Sequence, residues 1–178
     1  MGAVVGIDAD GGAVLASDTL AVDDGTVTSE NAKQLFEFDD AIVGAVGDRG
    51  DVEEFARSVR GELQQVDVEP GTDLDVGRFG RIAASAAADV GVEALVAARD
   101  GAGNASVRRV GPSGAVVSVT TGALGSGSAV ALGYLEGKGP PEGLPDAVEL
   151  ARESVQAAQD VDVETGGDVE AVTLEDRE

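Results

Sequence analysis

Cysteine and histidine are both absent from these 178 residues. That removes thiol nucleophiles, disulfides, zinc ligation by Cys or His, and histidine general bases in one step. Any catalysis would have to use Ser, Thr, Lys, a carboxylate or a chain terminus. Positive charge is scarce too, with 12 basic residues against 34 acidic ones. Only Lys33 and Lys138 are lysines. No apolar run is long enough to span a bilayer, and no basic region precedes an apolar stretch at the amino terminus. Gly6 stands where a myristoylation signal wants Ser or Thr. These absences predict a cytoplasmic protein with no cofactor and no metal.

What is present is apolar and acidic. Apolar residues make up 43% of the chain, which fits a folded core rather than a disordered acidic segment. The length predicts a single domain over residues 1–178. The formal charge is −22, and the acids are scattered between apolar positions. A metal-loaded protein or an acidic tail would gather them; even spread points to a surface adapted to concentrated salt. Such a charge repels nucleic-acid phosphates and anionic lipid, so neither is expected as a partner.

Strand signals come first along the chain: 3–9, 12–18, a short piece at 26–28, 34–38 and 41–46. Asp10-Gly11 marks a hairpin. The period then changes to a helical one. Val52, Phe55, Ala56, Val59, Leu63 and Val66 fall on one face, and Pro70-Gly71 breaks the run. A second helix carries Val76, Phe79, Ile82, Ala83, Ala86 and Val90 on its buried face. Strands are predicted in 93–100, 105–111 and 115–119. After the GALGSGS loop a helix runs to about Glu136, and another has Pro145 in its first turn and Val148, Ala151, Val155 and Ala158 inside. The last strand covers 169–174. Strands, two helices, strands, two helices and a strand cannot form one alternating parallel sheet. The order predicts an α+β fold, a four-layer αββα sandwich of two antiparallel sheets between helix pairs.

Several local patterns have a plain and a functional reading. DADGG at 8–12 begins like a calcium loop, but Gly12 stands at a ligand position and no helix precedes it, so it reads as a turn. GALGSGSAV could cradle a phosphate at a helix start, yet it lacks a P-loop lysine; Ser126 or Ser128 as a helix cap is the simpler account. DVDVETGGD at 160–168 reads as a helix-to-strand loop, with a metal or catalytic role as the alternative.

Taken in order, VVGIDADGGAVLASDT, KQLFEFDDAIVGAVGD, GALGSGSAVALGYLE and ARESVQAAQDVDVETGGDVEAVTL resemble a proteasome β-type subunit over nearly the whole length. The resemblance implies the sandwich of N-terminal-nucleophile hydrolases, in agreement with the layer order. It also implies a threonine nucleophile at the start of the mature chain, whose α-amine takes the proton. Here Gly2 holds that place, and the next threonine is Thr19. The family's lysine, which lowers the nucleophile's pKa, is replaced by Gln34; Lys33 stands one residue early and should face away. The supporting positions are kept. Asp18 matches the acid beside the lysine, Ser126 and Asp162 match the groups around the threonine amine, Thr165 matches a supporting serine, and Gly44 matches the oxyanion glycine. The chain stops at TLEDRE, where the family usually continues with a strand, so one sheet edge is expected to be free.

Three functions follow. The leading one is a non-catalytic, salt-adapted subunit of a ring-type assembly linked to proteolysis, with itself or other proteasome-type subunits as partners. The second is an active peptidase with an unexpected nucleophile, such as Ser17, Thr19 or Ser126. The third is a small-ligand or cation-binding module that reuses the vacated site through Asp18, Asp162 and Ser126.

Overall fold

The computed structural model describes residues 1–68 and 74–177. Among the described residues, eleven strands and four helices follow in the order β1 (Val4–Ala9), β2 (Gly12–Asp18), β3 (Ala21–Asp23), β4 (Thr26–Ser29), β5 (Leu35–Phe38), β6 (Ala41–Val46), α1 (Arg49–Val68) and α2 (Val76–Val90). They continue with β7 (Glu93–Arg99), β8 (Ala105–Val110), β9 (Val116–Val119), β10 (Thr121–Leu124), α3 (Ser128–Lys138), α4 (Leu144–Gln159) and β11 (Val169–Glu175). Two antiparallel sheets carry the architecture, one ordered β10-β1-β2-β11 and the other β5-β6-β7-β8-β9. A small β3-β4 hairpin stands apart from both.

Three apolar layers separate the four structural ones. Val4, Leu15, Leu35, Ile42, Leu95 and Val107 fill the space between the sheets. Phe36, Val43 and Val96 pack outward against Phe55 and Val59 of α1 and Phe79 and Ala83 of α2. Val5, Ile7, Val14 and Ala16 face the other way, onto Ala131, Leu135, Ala151 and Val155 of α3 and α4. Central strands are therefore covered on both sides, and all of β2 and β6 is buried. This explains why they read as continuous apolar runs rather than as alternating ones. The fold is the α+β sandwich expected from the element order.

Helix ends follow local chemistry. Asp75 caps α2 by accepting from the Arg78 N–H at 2.7 Å, and Gly91 ends it with φ of +77°. Pro145 lies in the first turn of α4. The expected break at Pro70-Gly71 lies outside the described residues.

Five details differ from the sequence reading. β3 was not foreseen; it exists because Asp24-Gly25, both with positive φ, turns the chain back onto β4. β10 falls in a stretch read as loop, since Thr121-Gly122-Ala123-Leu124 has little strand propensity and is held by pairing with β1. Gln34 precedes β5 instead of opening it, and α3 runs on to Lys138. Finally, neither Ser126 nor Ser128 caps α3: Gly127 is the cap residue and has no side-chain bond to give. The Ser126 hydroxyl is drawn to Asp162 instead.

The carboxyl end is tied down. Asp176 N–H donates to Gly11 O at 3.0 Å and Arg177 N–H to Gly103 O at 2.9 Å. Both ends of the outer edge of β11 are capped, Val169 O by Arg152 and Glu175 O by Arg99, each at 2.9 Å. Gly44, in the middle of β6, shows how closely the sheets approach: a Cβ there would lie 2.5 Å from Val4 Cγ1. Gly44→Ala should lower stability by about 1–3 kcal/mol through overpacking. Denaturant midpoints test this, and the cost should shrink in a Val4→Ala background that opens the same space.

Candidate functional site

β1 and β2 pair in register so that Ala3 and Asp18 come together at the open end of the hairpin. There the Asp18 carboxylate is fully buried. Its Oδ1 accepts from Ala3 N–H at 2.8 Å and from Gln34 Nε2 at 3.1 Å. Its Oδ2 accepts from Gly166 N–H at 2.9 Å and Leu20 N–H at 3.3 Å. Burial pushes its pKa above the ordinary carboxylate value, against the pull of these four donors. Gln34 Nε2 also donates to Asp18 O at 3.1 Å, which fixes the orientation of the amide and leaves Oε1 buried without a partner.

Gly2 sits beside this group with φ of +70°. A Cβ built on it would overlap Asp18 Oδ1 and stand 3.0 Å from Gln34 Nε2. The position therefore favours glycine twice, by backbone conformation and by space. Gly2 O accepts from Gly127 N–H at 3.2 Å, which ties the start of the chain to the turn before α3.

A second cluster lies on the other side of Gly2. Asp162 Oδ2 accepts from Ser126 Oγ at 2.6 Å and Thr165 Oγ1 at 2.5 Å, and Ser126 Oγ is also 3.4 Å from Gly2 O. Burial raises the Asp162 pKa. The hydroxyls of Ser126 and Thr165 and the Glu164 N–H outweigh it, so the carboxyl lies below its usual range. The Met1 amine forms an ion pair with Glu164 at 3.0 Å.

The structure thus gathers Gly2, Asp18 and Gln34 in one group and Ser126, Asp162 and Thr165 in another, with Gly2 touching both. Gly44 stands apart on β6, paired with Leu35 and Leu95. Lys33 is exposed, with Nζ 5.4 Å from the centre of the Phe36 ring, while its neighbour Gln34 turns inward. Three hydroxyls considered as nucleophiles are poorly placed. Ser17 is sealed in the core with no partner. Thr19 Oγ1 donates to Glu30 O at 2.7 Å and accepts from Asp168 N–H at 2.8 Å. Ser126 faces a carboxylate whose lowered pKa makes it a weak base.

Sequence reasoning missed Gly127, Glu164 and Gly166. The signal for the last was the TGGD turn, whose glycines let the backbone approach: a Cβ on Gly167 would overlap Thr19 Oγ1, and Gly166 N–H reaches Asp18. It also missed a cavity of about 520 Å³ between the β3-β4 hairpin and the start of α1, lined by Met1, Lys33, Gln34, Gly47 and Arg49 among others. Among the described residues no group of three or more carboxylates is arranged to hold a metal.

Two antiparallel sheets between helix pairs, with the residues just before β1 inside the polar site, define the class of N-terminal-nucleophile hydrolase folds. A sequence model of the family described as "Proteasome subunit" matches residues 2–174. A "Proteasome subunit beta 1" of Desulfurococcus amylolyticus is 29% identical over 98% of this chain and 89% of the relative. A "Proteasome subunit beta" of Methanopyrus kandleri is 31% identical over 96% and 85%, and one of Halomicrobium mukohataei is 29% identical over 96% and 74%. The chain belongs to the proteasome subunit family, on its β-type side.

Asp18→Asn would turn an amide NH₂ toward N–H donors, and at least one would lose its acceptor. Stability should fall by about 1–3 kcal/mol in denaturant titrations. Asp162 and Asp18 act in opposite senses with pH. The depressed pKa of Asp162 gives stability that is present above the ordinary value of 3.8 and lost as pH falls through the folded-state value. The raised pKa of Asp18 gives stability that is present below 3.8 and lost as pH rises through its folded-state value. Asp162→Asn should therefore flatten the loss of stability below pH 3.8 and leave the higher range unchanged.

Proposed function

We propose that this chain is a non-catalytic, salt-adapted member of its family, a structural or regulatory subunit of an oligomeric ring-type assembly linked to proteolysis. Subunits of this family normally assemble into oligomeric rings with other subunits, which makes itself or related subunits the natural partners. The observation that carries the reading is the pair of replacements around Asp18. Gly2 offers no hydroxyl and the space beside it is taken, and the amide of Gln34 bonds to Asp18 where the resemblance places an ammonium group. Loss of a nucleophile alone costs on the order of ~10⁶ in turnover.

A peptidase with another nucleophile is disfavoured by the committed or sealed hydroxyls of Ser17, Thr19 and Ser126. A cation at Asp18 is disfavoured because both carboxylate oxygens already accept N–H donors. The cavity beside Gln34 does support a small organic ligand as a second reading. No helix among the described residues is long and apolar enough to cross a membrane, and the acidic surface suits a cytoplasmic setting.

Fluorogenic peptides should not be cleaved by the purified protein in multi-molar potassium chloride. The double variant Gly2→Thr with Gln34→Lys should also stay inactive, because a side chain at position 2 meets Asp18. Turnover by the unaltered protein that Ser126→Ala abolishes would overturn the reading.

A further inference from the structure

A second cavity, of about 630 Å³, lies at the opposite end of β1 from the groups around Asp18. The end of β1, the start of β10, the carboxyl end of α3 and the middle of α4 enclose it. Ile7, Leu132, Leu135, Leu150, Pro140 and Pro141 form apolar walls. Thr121, which pairs with Ile7 across the β1-β10 ladder, adds a hydroxyl. The cavity shares no lining residue with the one beside Gln34. Its volume falls within the roughly 300–1,000 Å³ of small-molecule sites.

The charged lining is of one sign. Asp8, Asp10 and Glu136 border the cavity, and among the described residues no lysine or arginine does. Lys138 is close in sequence but engages α4 instead. Its Nζ lies 4.0 Å from Glu153 and 5.3 Å from the centre of the Tyr134 ring. Among the described residues neither Asp10 nor Glu136 forms an ion pair.

The end of α3 is an independent source of negative potential. Gly139 N–H donates to Leu135 O at 3.0 Å. The carbonyls of Glu136 and Gly137 would next look to residues 140 and 141, and both are proline, which has no N–H. Glu142 N–H could serve Lys138 O but donates to Asp146 Oδ2 at 2.9 Å. Residues 139–142 thus give no N–H to the carbonyls of Glu136, Gly137 and Lys138, which carry the negative pole of the helix. Glu136, Gly139, Pro140 and Pro141 all line the cavity, so this pole stands at its wall.

We propose that this cavity binds a small organic cation, an aliphatic primary ammonium whose hydrocarbon chain lies against the leucines and whose N–H donors meet Glu136, Asp10 and the open end of α3. The site is separate from the one around Asp18 and does not depend on the subunit role. Charge and surface together choose the occupant. An anion would meet carboxylates and carbonyls with no cation to balance it. A neutral apolar molecule would cover polar groups without pairing them, which is costly. A potassium ion would be drawn to the carboxylates but gains nothing from apolar walls. An alkylammonium does both, because its head donates hydrogen bonds while its chain buries apolar surface.

The test titrates hexylamine into the ¹⁵N-labelled full chain in multi-molar potassium chloride near neutral pH, where an alkylamine is protonated. Hexan-1-ol and potassium hexanoate serve as neutral and anionic probes of the same chain length. Hexylammonium should shift the amide signals of residues 7–10, 121 and 132–139 saturably, and the other two should bind weaker by about tenfold or more. Glu136→Gln should weaken hexylammonium binding by about threefold, and Asp10→Ser with Glu136→Gln by about tenfold. Thr121→Phe, which places a ring in the cavity, should abolish it. Glu62→Gln, the same charge change on an exposed residue of α1, should leave it unchanged. The spectra verify folding, and the charge variants carry the test if Thr121→Phe fails to fold. Equal affinity for hexan-1-ol and hexylammonium would overturn the proposal. So would saturable shifts confined to other residues, no saturable shift at all, or binding that the double charge variant leaves unchanged.

Discussion

The Asp18 carboxylate joins parts of the chain that are far apart in sequence. Its oxygens hold the backbone of Ala3 before β1, of Leu20 after β2 and of Gly166 before β11, together with the side chain of Gln34 at the entrance to β5. Three of these belong to one sheet and the fourth leads into the other, so a single anion pins the two sheets at one end. A buried carboxylate is costly unless its lone pairs are filled. Here four donors fill them, and burial still dominates the direction of its pKa. The group is held at a cost that the surrounding backbone geometry has to meet.

That geometry explains the shape of the site. Ala3 and Gly166 can both reach Asp18 only because Gly2 and Gly167 remove side chains from the crowded turn, and Gly127 does the same where a Cβ would press on Thr165 and Ala3. Gln34 gives Asp18 a neutral donor, and its second polar atom is left buried and unpaired. Gln34 thus meets Asp18 through an ordinary hydrogen bond between an amide and a carboxylate. Ser126, Thr165 and Asp162 form their own closed set, bound to the same stretch of chain through Gly2 O.

The surface follows a different logic from the interior. Carboxylates cover most faces, but strand edges carry the sharper constraint, since unpaired backbone groups invite other chains regardless of net charge. The β5-β11 side answers with arginine caps and glutamates, and the β9-β10 side with neither.

The amino-acid order by itself determined the layered class, the four helices and most strands. Their periods are local: 3.6 residues in α1 and α2, and unbroken apolar runs in β2, β6 and β7. The contiguous motifs that carry the resemblance also singled out Gly2, Asp18, Gln34, Ser126, Asp162 and Thr165, which folding brings into two adjacent hydrogen-bonded groups. Tertiary structure alone decided the rest. β10 is a strand through pairing with β1 more than a hundred residues away in sequence, and Ser126 is a partner of Asp162 rather than a helix cap. Gly44 turned out to sit against Val4, and the cavity beside Gln34 opened between a hairpin and a helix start. Propensity and spacing record what a residue prefers among its neighbours in sequence. Closure of a buried polar group or a sheet edge depends on donors and acceptors that only folding brings together.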